Sequence, residues 1–569
     1  MGQIIWSQNY KKLKPFTNQI IWKFRWIKDL EHTIRLILKL YFYKNCSRMK
    51  GSLYIAVSLI ALVFWSSCRQ DFIFTPSSGN LSFSKDTVYL DTIFSNIGSS
   101  TYTLKVYNTS DEDILIPSIK LRKGQNSNYR MNVDGLIGNG ILIGKEFENI
   151  ELLARDSMYV FIETTVDILD LVENETQFLY TDVIAFENTS GVQNVELVTL
   201  VKDAVFIFPN RDENGIKETL SFDVDGDGIE DETAIEGRFL EDSELTFTNE
   251  RPYVIYGYAA VGDGKTLNIN PGARIHFHAD SGLLVTNNAS LHVNGLPSLD
   301  AELLENEVIF EGDRLEPLYE NISGQWQTIW LFNGSTDNII NYATIKNGTI
   351  GILSDGNQLD PTKLEITNSQ IYNHSNFGIL GRQTSIIAEN IVINNSGLSS
   401  FAGTLGGNYN VTHSTLANYW SSSFRQFPAL LLNNFIVDAE NTVTTNPLMS
   451  ANFTNCIIYG NDNPELLLEN ENSEDFNFKF TNSLIYFNDP NGNFSSAEYD
   501  FNNTTLYENV IFNNDPQFLD PSSNKLNIPF GSPAEGTGTV SGNLTKDITN
   551  TTRNSPPDLG AYNTIEFED

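Results

Sequence analysis

Cysteine is scarce in this sequence of 569 residues, and the few that occur stand far apart. Only Cys46, Cys68 and Cys456 are present. No Cys-x-x-Cys pair or His-Cys pairing supports metal or redox chemistry, and a lone cysteine in the later part of the chain cannot form an internal disulfide. Cys456 begins the apolar run Cys456–Tyr459, which is typical of a small core residue rather than of a nucleophile.

Basic residues are also few. The sequence has 36 Lys and Arg against 71 Asp and Glu, a formal net charge of -35 at pH 7. Residues 1–50 hold 11 of the basic and 2 of the acidic residues, which leaves 25 basic and 69 acidic residues, a net of -44, in the remainder. A polyanion of this size excludes nucleic acid as a partner recognised through charge. It suits a soluble body outside the cytoplasm.

Long hydrophobic runs are lacking as well. The apolar run Leu53–Trp65 has 13 residues, fewer than the roughly 20 that a membrane-spanning helix needs. It follows Met49 and Lys50 and ends in Ser-Ser-Cys68, so residues 49–68 read as a secretion signal. The cysteine at its end makes it similar to a lipoprotein signal. An ordinary inner-membrane anchor and a cut elsewhere remain the alternatives.

The resemblance to a lipoprotein signal implies that Cys68 carries the lipid and that the chain is cut before it. Two or more acyl chains hold a protein on a membrane far better than one. The expected partner is therefore a membrane, and the expected location is the outer membrane of a Gram-negative bacterium, on its surface or its periplasmic face. Residues 1–48 precede a complete signal and are interpreted as an upstream segment from an early start codon, or as a cytoplasmic extension.

Short β-rich runs alternate with polar turns from residue 72 to residue 208. Runs such as Tyr102–Tyr107 and Met158–Ile162 recur about every ten residues with period-2 alternation, which predicts an antiparallel sandwich. Two segments resemble the sequences of bacterial Ig-like domains: TYTLKVYNTSDEDILIPSI and, after it, LLARDSMYVFIETTV. The expected fold of residues 72–208 is an Ig-like β-sandwich.

An acidic junction, residues 209–253, follows and contains a candidate calcium loop. Carboxylates stand at positions 1, 3, 5 and 9 of the loop, with a backbone carbonyl expected between them: Asp223, Asp225, Asp227, Ile229 and Asp231. Position 12 is Ala234, so a helical EF-hand is not supported. The alternative is a solvated acidic turn; if calcium binds, its role is structural. Residues 233–260 are expected to cap the next domain.

Residues 254–566 show a degenerate repeat. Apolar anchors stand at residues 345, 371, 393, 416, 457, 484 and 511, and their Ile and Leu side chains are expected to point inward and stack into one core. The neighbouring Asn residues favour left-handed or bridging corners and are expected to form a ladder from coil to coil. The anchors at residues 416 and 457 are 41 residues apart, which indicates a long inserted loop or a missed coil between them. Two segments resemble the sequences of right-handed parallel β-helix proteins with the pectate-lyase-like fold: LNINPGARIHFH and GLLVTNNASLHVNG. The end of the chain, with Asp558-Leu-Gly-Ala-Tyr562, resembles the closing segment of β-helix surface proteins. The predicted fold class is all-β.

No catalytic residue is predicted. The fold implied by this resemblance hosts lyases and hydrolases, but Lys346, Lys363, Arg382, Arg425 and Lys479 lie outside the motifs that those enzymes use. His276, His278 and His292 are interpreted as a surface stripe rather than a metal site, because no carboxylate is patterned with them.

Aromatic residues suggest a binding function. Trp326, Trp330 and Trp420 are candidates for stacking on sugar rings, although they also suit a core or a coil edge. The sequence thus favours a non-catalytic surface scaffold, or a module that binds glycans or other envelope proteins. A divergent polysaccharide lyase or glycoside hydrolase is the alternative.

Three Asp-[Ser/Thr]-apolar triplets in the predicted sandwich resemble the O-glycosylation sequence of some Gram-negative envelope systems. They place the candidate acceptors at Thr87, Thr92 and Ser157. So short a pattern also arises by chance, and Asp-Thr alternation is common in half-exposed strands.

Overall fold

The computed structural model describes residues 73–79, 81–138, 142–167, 177–356, 363–542 and 544–567. These residues form β-strands, loops and short 3₁₀ helices, so the predicted all-β class is confirmed. The 3₁₀ helices are Gly124–Asn126, Asp242–Glu244, Pro317–Tyr319, Ala497–Tyr499 and Pro521–Ser523. Within the described part, no helix is long and apolar enough to cross a membrane. The predicted segments 1–48 and 49–68, with Cys68, lie outside the described residues.

The N-terminal part forms two sheets that share one core, here called the two-sheet unit. Its strands are β1 (Thr75–Pro76), β2 (Leu81–Phe83), β3 (Thr87–Phe94), β4 (Tyr102–Asn108), β5 (Ile114–Leu121), β6 (Tyr129–Val133), β7 (Glu146–Leu152), β8 (Ser157–Thr164), β9 (Gln177–Asn188) and β10 (Gly191–Lys202). One sheet has the order β1-β5-β9-β10-β3 with β7 on β5, and the other has the order β2-β4-β8-β6.

Alternation along the strands explains how the two sheets pack. On β8, Met158, Val160 and Ile162 are buried in the shared core, while Tyr159 and Phe161 face solvent. Burying an aliphatic side chain of this kind contributes about 1.5–3 kcal/mol relative to leaving it exposed. The predicted period-2 pattern therefore describes this unit correctly, but the prediction of an antiparallel sandwich is wrong for β1 and β3, which pair in parallel with β5 and β10.

The rest of the chain winds through three stacks of parallel strands. Face A consists of β11 (Val205–Ile207), β15 (Tyr253–Ile255), β18 (Arg274–Phe277), β21 (Val308–Gly312), β24 (Ala343–Lys346), β27 (Gln370–His374), β29 (Val392–Ser396), β31 (Thr415–Asn418), β36 (Ile457–Gly460), β39 (Leu484–Ile485) and β41 (Ile511–Phe512). Each strand pairs in parallel with the next of this series, one coil further along the chain.

Two further stacks close each coil. Face B consists of β13 (Asp231–Phe239), β16 (Tyr258–Val261), β19 (Gly282–Val285), β22 (Ile329–Leu331), β25 (Ile350–Asp355), the first halves of β28 (Phe377–Glu389) and β30 (Ser399–Thr412), β32 (Leu430–Asn433) and β37 (Leu466–Glu469). Face C consists of β14 (Thr246–Phe247), β17 (Thr266–Ile269), β20 (Ser290–Asn294), β23 (Asn338–Asn341), β26 (Leu364–Thr367), the second halves of β28 and β30, β35 (Leu448–Thr454), β38 (Lys479–Thr481) and β40 (Tyr507–Glu508). Because β28 and β30 run across the corner, faces B and C form one continuous sheet.

The stack of coils begins earlier than the sequence pattern indicates. Val205–Ile207, predicted to end the sandwich, pairs with Tyr253–Ile255 of face A. β12 (Thr219–Phe222) forms an antiparallel hairpin with β13, and β13 pairs in parallel with β16. The predicted acidic junction therefore contributes strands to the stack.

The seven predicted anchors all lie on face A, but not all point the same way. Those that face the core of the coils are Ile345, Ile371, Ile393 and Leu416. Leu416 pairs with Ile458, so Ile457, Leu484 and Ile511 are one residue out of phase and lie on the outer side. A shift of one residue exchanges the two faces of a strand, and the prediction that every anchor points inward is wrong for these three.

Asparagine occupies a corner of the coils, as the sequence predicts. The corner positions before face A with φ between 44° and 56° are Tyr342, Asn368, Asn390, His413, Asn455, Asn482 and Asn509. Asn390 donates to Asn368 Oδ1 at 3.0 Å, and Asn509 donates to Asn482 Oδ1 at 3.0 Å. Asn tolerates the left-handed region better than most residues, and each amide also satisfies its neighbour in the stack. The predicted corner ladder is confirmed.

The spacing of 41 residues corresponds to one lengthened coil. A loop, residues 419–429, precedes β32, and a hairpin of β33 (Phe435–Val437) and β34 (Val443–Thr445) follows it. The last coil is covered by a cluster of aromatic rings with centroid separations of 4.5–5.3 Å among neighbours: Phe487, Phe494, Tyr499, Phe501 and Phe512. This cluster shields the end of the core, which an open stack would expose.

Residues 515–567, here called the closing segment, pack on the outer side of face A. They include the short parallel pair β42 (Ile528–Pro529) and β43 (Thr564–Ile565). Their buried apolar residues meet Val392, Ala417, Ile457 and Leu484. Gly560 has φ +81°, and a Cβ there would lie 2.6 Å from Thr415 Oγ1, so the Asp-Leu-Gly-Ala-Tyr pattern fits a close approach of two backbones.

Candidate functional site

A cleft of about 300 Å³ opens where the two-sheet unit meets the first coils. Gln177, Lys202 and Asp203 lie on the side of the two-sheet unit. The remaining polar lining, which comes from the coils, is Asn249, Glu250, Arg251, Arg274, His276 and Glu311. This space is called the junction cleft below.

The two walls of the junction cleft are fixed to each other. Only two residues separate β10 from β11, and β11 already belongs to face A. Asp203 pairs with Arg251 at 3.0 Å, and Phe94 packs with Ala204 and Val254 in a small buried cluster. The cleft is therefore part of the folded architecture and requires no rearrangement to form.

His276 lies in the wall of the cleft and is 5% exposed. Its Nδ1 is 3.3 Å from the carbonyl oxygen of Gly312 and 3.5 Å from Glu311 Oε1. Since a carbonyl oxygen can only accept, this hydrogen bond places the proton on Nδ1. Nε2 makes no hydrogen bond with any residue that the structure describes, so it is left as an acceptor.

Burial and charge keep this histidine neutral. Burial lowers the pKa of His276, and the neighbouring Glu311 carboxylate opposes that effect only in part. Burial alone would raise the pKa of Glu311, but its interactions with the His276 imidazole and with the ammonium group of Lys346 bring it below its usual value. Glu311 Oε2 lies 2.9 Å from Lys346 Nζ. Along successive coils, face A thus carries a neutral imidazole, a carboxylate and an ammonium group.

The other two histidines also pair with carboxylates. His278 Nδ1 is 2.7 Å from Asp313 Oδ2, and that hydrogen bond raises the pKa of His278. His292 Nε2 lies 3.4 Å from Asp337 Oδ2. The interpretation of these histidines as a surface stripe is wrong for His276, which is buried. Carboxylates do accompany all three, but they come from the next coil and form no pattern with the histidines in the sequence. His292 lies on face C and the other two on face A, so the three imidazoles do not converge on one metal.

Positive charge in the cleft is only partly neutralised. Lys202 Nζ forms no ion pair or hydrogen bond with the described residues. Arg274 directs its hydrogen bonds to backbone carbonyls, those of Gly272, Ala273, Leu303, Leu304 and Glu307. Arg251 is paired with Asp203, and Glu250 is exposed at the rim. Lys202 is consequently the cation that remains open to a ligand.

The acidic loop is the turn between β12 and β13. Carboxylate oxygens of Asp223, Asp225 and Asp227 lie within 4.8 Å of one another, close enough for one metal ion. Asp231 instead accepts a hydrogen bond from the backbone N–H of Val224 at 3.0 Å, and the N–H of Ile229 donates to Asp227 Oδ1 at 2.8 Å. Three oxygen ligands suit Ca²⁺, which takes six to eight, with the others from backbone or water.

The three tryptophans have different environments. Trp326 is 1% exposed, stacks on Phe277 at 4.4 Å and donates to the Lys346 carbonyl at 2.9 Å. It fills the core of the coils, and the prediction that it stacks on a glycan is wrong. Trp330 is half-buried on the outer side of face B and donates to Asp355 at 2.8 Å. Trp420 is half-buried in the inserted loop of residues 419–429 and donates to Ser423 at 3.0 Å.

The candidate glycosylation residues lie on the two-sheet unit. Thr87 and Thr92 are half-buried on β3, which is the edge strand of its sheet. Ser157 is half-buried at the start of β8, an inner strand between β4 and β6. A sugar on β3 would cover a sheet edge, whereas one on Ser157 would not.

Comparisons with known proteins add little. No protein-family model and no curated protein matches the chain. Among solved structures, a family 123 glycoside hydrolase from Clostridium perfringens aligns with 9% identity and a TM-score of 0.15, over 22% of this chain and 30% of that one. The periplasmic chaperone SfaE aligns with 13% identity, over 22% of this chain and 57% of that one, with a TM-score of 0.14. The VesB protease of Vibrio cholerae aligns with 10% identity and a TM-score of 0.13, over 22% of this chain and 32% of that one. Scores this low carry no argument about function.

Proposed function

We propose that the chain is a non-catalytic, lipid-anchored protein of the bacterial outer membrane, serving as a surface scaffold that binds glycans or envelope proteins. In this proposal the two-sheet unit is an Ig-like domain and the coils form a right-handed parallel β-helix. The observation that carries it is the uninterrupted stack of parallel coils on face A, from Val205 to Phe512. Such a stack is a stiff rod with a large lateral surface, the shape that a scaffold needs.

Three carboxylates of the coils are engaged by neighbouring side chains, which supports a non-catalytic role for them. Asp313 is held by His278, Asp355 by Arg382 and Trp330, and Glu465 by Arg425. A general acid or nucleophile has to reach its substrate, and these groups are engaged within the fold. In the same proposal, calcium on Asp223, Asp225 and Asp227 stiffens the hairpin between the two-sheet unit and the coils.

A divergent polysaccharide lyase or glycoside hydrolase is the second candidate. The observation that favours it is the pairing of His276 with Glu311 beside a cleft, because a neutral imidazole oriented by a carboxylate can accept a proton. The same pair serves equally well as a binding group.

A polysaccharide panel tests these alternatives. The purified protein is mixed with each polysaccharide, and both retention of the protein and new reducing or unsaturated ends are measured. Retention without new ends is the expected result. Release of new ends by the wild-type protein and not by His276→Phe would establish the enzyme instead.

The anchor is tested separately through Cys68. Cys68→Ser is expected to leave a soluble or unprocessed protein, whereas the wild type fractionates with the outer membrane and Cys456→Ser does the same. If Cys68→Ser still fractionates with membranes at the normal size, the anchor proposal fails.

A further inference from the structure

The junction cleft combines an unused acceptor with an unused cation. His276 presents Nε2 without a hydrogen-bond partner among the described residues, and its ring lines the cleft. Lys202 lines the same cleft, and its charge is near enough to disfavour protonation of His276. His276 is 5% exposed and lies in the cleft lining, so a ligand or water that enters the cleft can complete the hydrogen bonding of Nε2. The cleft is therefore built for a polar occupant.

The two groups define the chemistry of that occupant. A neutral imidazole nitrogen accepts a hydrogen bond, so the ligand must offer a donor such as a hydroxyl group. An unpaired ammonium group prefers an anion, and a carboxylate is the simplest group that a hydroxyl-bearing molecule also carries. Of the three carboxylates in the lining, Asp203 and Glu311 are each paired with a cation, and Glu250 is exposed to solvent.

The remaining lining supports a small hydroxylated ligand. Gln177 and Asn249 add amide groups, which both donate and accept, and Arg274 adds positive charge held in place by carbonyl oxygens. The volume of about 300 Å³ is at the lower end of the range of small-molecule sites, so it fits one sugar unit rather than a long chain.

The cleft is also pre-organised, which lowers the cost of binding. The ring of Phe94 meets that of His276 edge-on at 4.9 Å, and Glu311 and Gly312 fix the opposite side of the imidazole. Arg314 and Glu316 of the coils bond to Ser100 of the two-sheet unit, near the same junction. A site whose walls are already fixed loses little conformational entropy when a ligand enters.

We propose that the junction cleft binds an acidic sugar. Lys202 pairs with the carboxylate of the sugar, and His276 Nε2 accepts a hydrogen bond from one of its hydroxyl groups. This inference rests on the proposed glycan-binding function and names the ligand class and the residues. It moves the binding site away from the tryptophans of the coils. It also gives the two-sheet unit a direct part in recognition, because Lys202 belongs to β10.

Titration calorimetry of the full-length protein with glucuronate tests the site. Glucose, which lacks the carboxylate, is expected to bind about tenfold more weakly or worse, because hydrogen bonds to charged groups are the strong ones. Gluconate, which keeps the carboxylate but opens the ring, distinguishes an acidic sugar from a free hydroxy acid. Equal or tighter binding of gluconate would overturn the sugar assignment.

Two variants and one control complete the experiment. Lys202→Gln is expected to abolish the preference for glucuronate over glucose, and His276→Phe to weaken both while keeping the ring against Phe94. Lys105→Gln, on the outer side of the two-sheet unit, is expected to bind as the wild type does. Lys202 is half-buried at the end of a strand, so its replacement leaves the fold intact, as a thermal melt verifies.

The outcomes separate the cleft from the wider function. Unchanged glucuronate binding in Lys202→Gln, or none by the wild type, overturns the proposed site. If the wild type and Lys202→Gln are then retained by the same polysaccharide, glycan binding stands and only the cleft is excluded. If the wild type is retained by nothing, the glycan-binding function fails as well.

Discussion

Arg425 and Glu465 form a bidentate ion pair whose side chains are only 3% and 0% exposed. Arg425 Nη1 is 2.7 Å from Glu465 Oε2, and Nη2 is 2.5 Å from Oε1. The carboxylate also accepts the backbone N–H groups of Ala429 and Asp462. One ion pair therefore fastens the inserted loop of residues 419–429 to the turn before β37.

Removal of one partner of this pair leaves a buried charge without compensation. Arg425→Leu is expected to destabilise the coils by about 3–5 kcal/mol, and Arg425→Leu with Glu465→Leu by clearly less. Lys479→Leu breaks the exposed pair with Glu508 and is the control, with an expected loss of at most about 1 kcal/mol. Urea unfolding followed by fluorescence measures all three. Equal losses from Arg425→Leu and Lys479→Leu would contradict the structural role given to the buried pair.

His278 makes the stability depend on pH. Its hydrogen bond to Asp313 raises its pKa in the folded state, so protonation favours folding. This stabilisation is complete below the unfolded pKa of about 6.5 and is lost as the pH rises through the higher folded value. As the pH rises from about 6.5 through the folded pKa of His278, the free energy of unfolding of the wild type should therefore fall relative to that of His278→Gln. Histidine NMR titration gives the pKa directly, with His413, whose pKa burial lowers to about 3, as a group that stays neutral.

Calcium is expected to stabilise the turn between β12 and β13. Three carboxylates within 4.8 Å repel one another, and a divalent cation removes that repulsion. A chelator should lower the melting temperature of the wild type, and Asp225→Ala with Asp227→Ala should remove the response. Asp212→Ala changes an exposed acidic turn outside the cluster and should keep it. An unchanged chelator response in the double variant would eliminate the site.

Glycosylation of the two-sheet unit is expected at Thr87, Thr92 and Ser157. Intact-mass measurement of protein from its native host should show added sugar mass that falls stepwise when each residue becomes Ala. Thr103→Ala, on β4 and without a preceding Asp, should leave the mass of the sugar unchanged. Native protein at its bare mass would end the hypothesis.

The repeat on face A could be predicted because five of the seven coils with predicted anchors place one apolar strand beside one corner Asn. Asn368, Asn390 and Asn455 are visible in the sequence since few residues tolerate their backbone conformation. The anchor at Ile457 was predicted one residue out of phase, although the inward residue stays three positions after the corner, as in Asn390 to Ile393 and Asn455 to Ile458. The run Cys456–Tyr459 is apolar throughout, so alternation alone does not indicate which of its residues points inward.

The junction cleft was hidden from sequence reasoning for a related reason. His278 and Asp313 are 35 residues apart, and His276 and Glu311 meet only because β18 pairs with β21. The loop between β20 and β21 obscures that register in the sequence. Lys202 offers no signal at all, because it ends a strand of a different unit. Trp326 was misplaced because an indole suits either a core or a sugar face, and only the fold decides between them.

The closing segment is synthesised after the coils, so the outer side of face A stays uncovered during synthesis. A ribosome makes residues 515–567 after the coils whose outer side they cover. Until they arrive, Val392, Ile457 and Leu484 form an apolar stripe that is open to other chains. A product truncated before residue 515 would keep that stripe exposed permanently. Residues 515–567 thus protect the coils from association with other chains, although their described part adds no side chain to the buried interior of the coils.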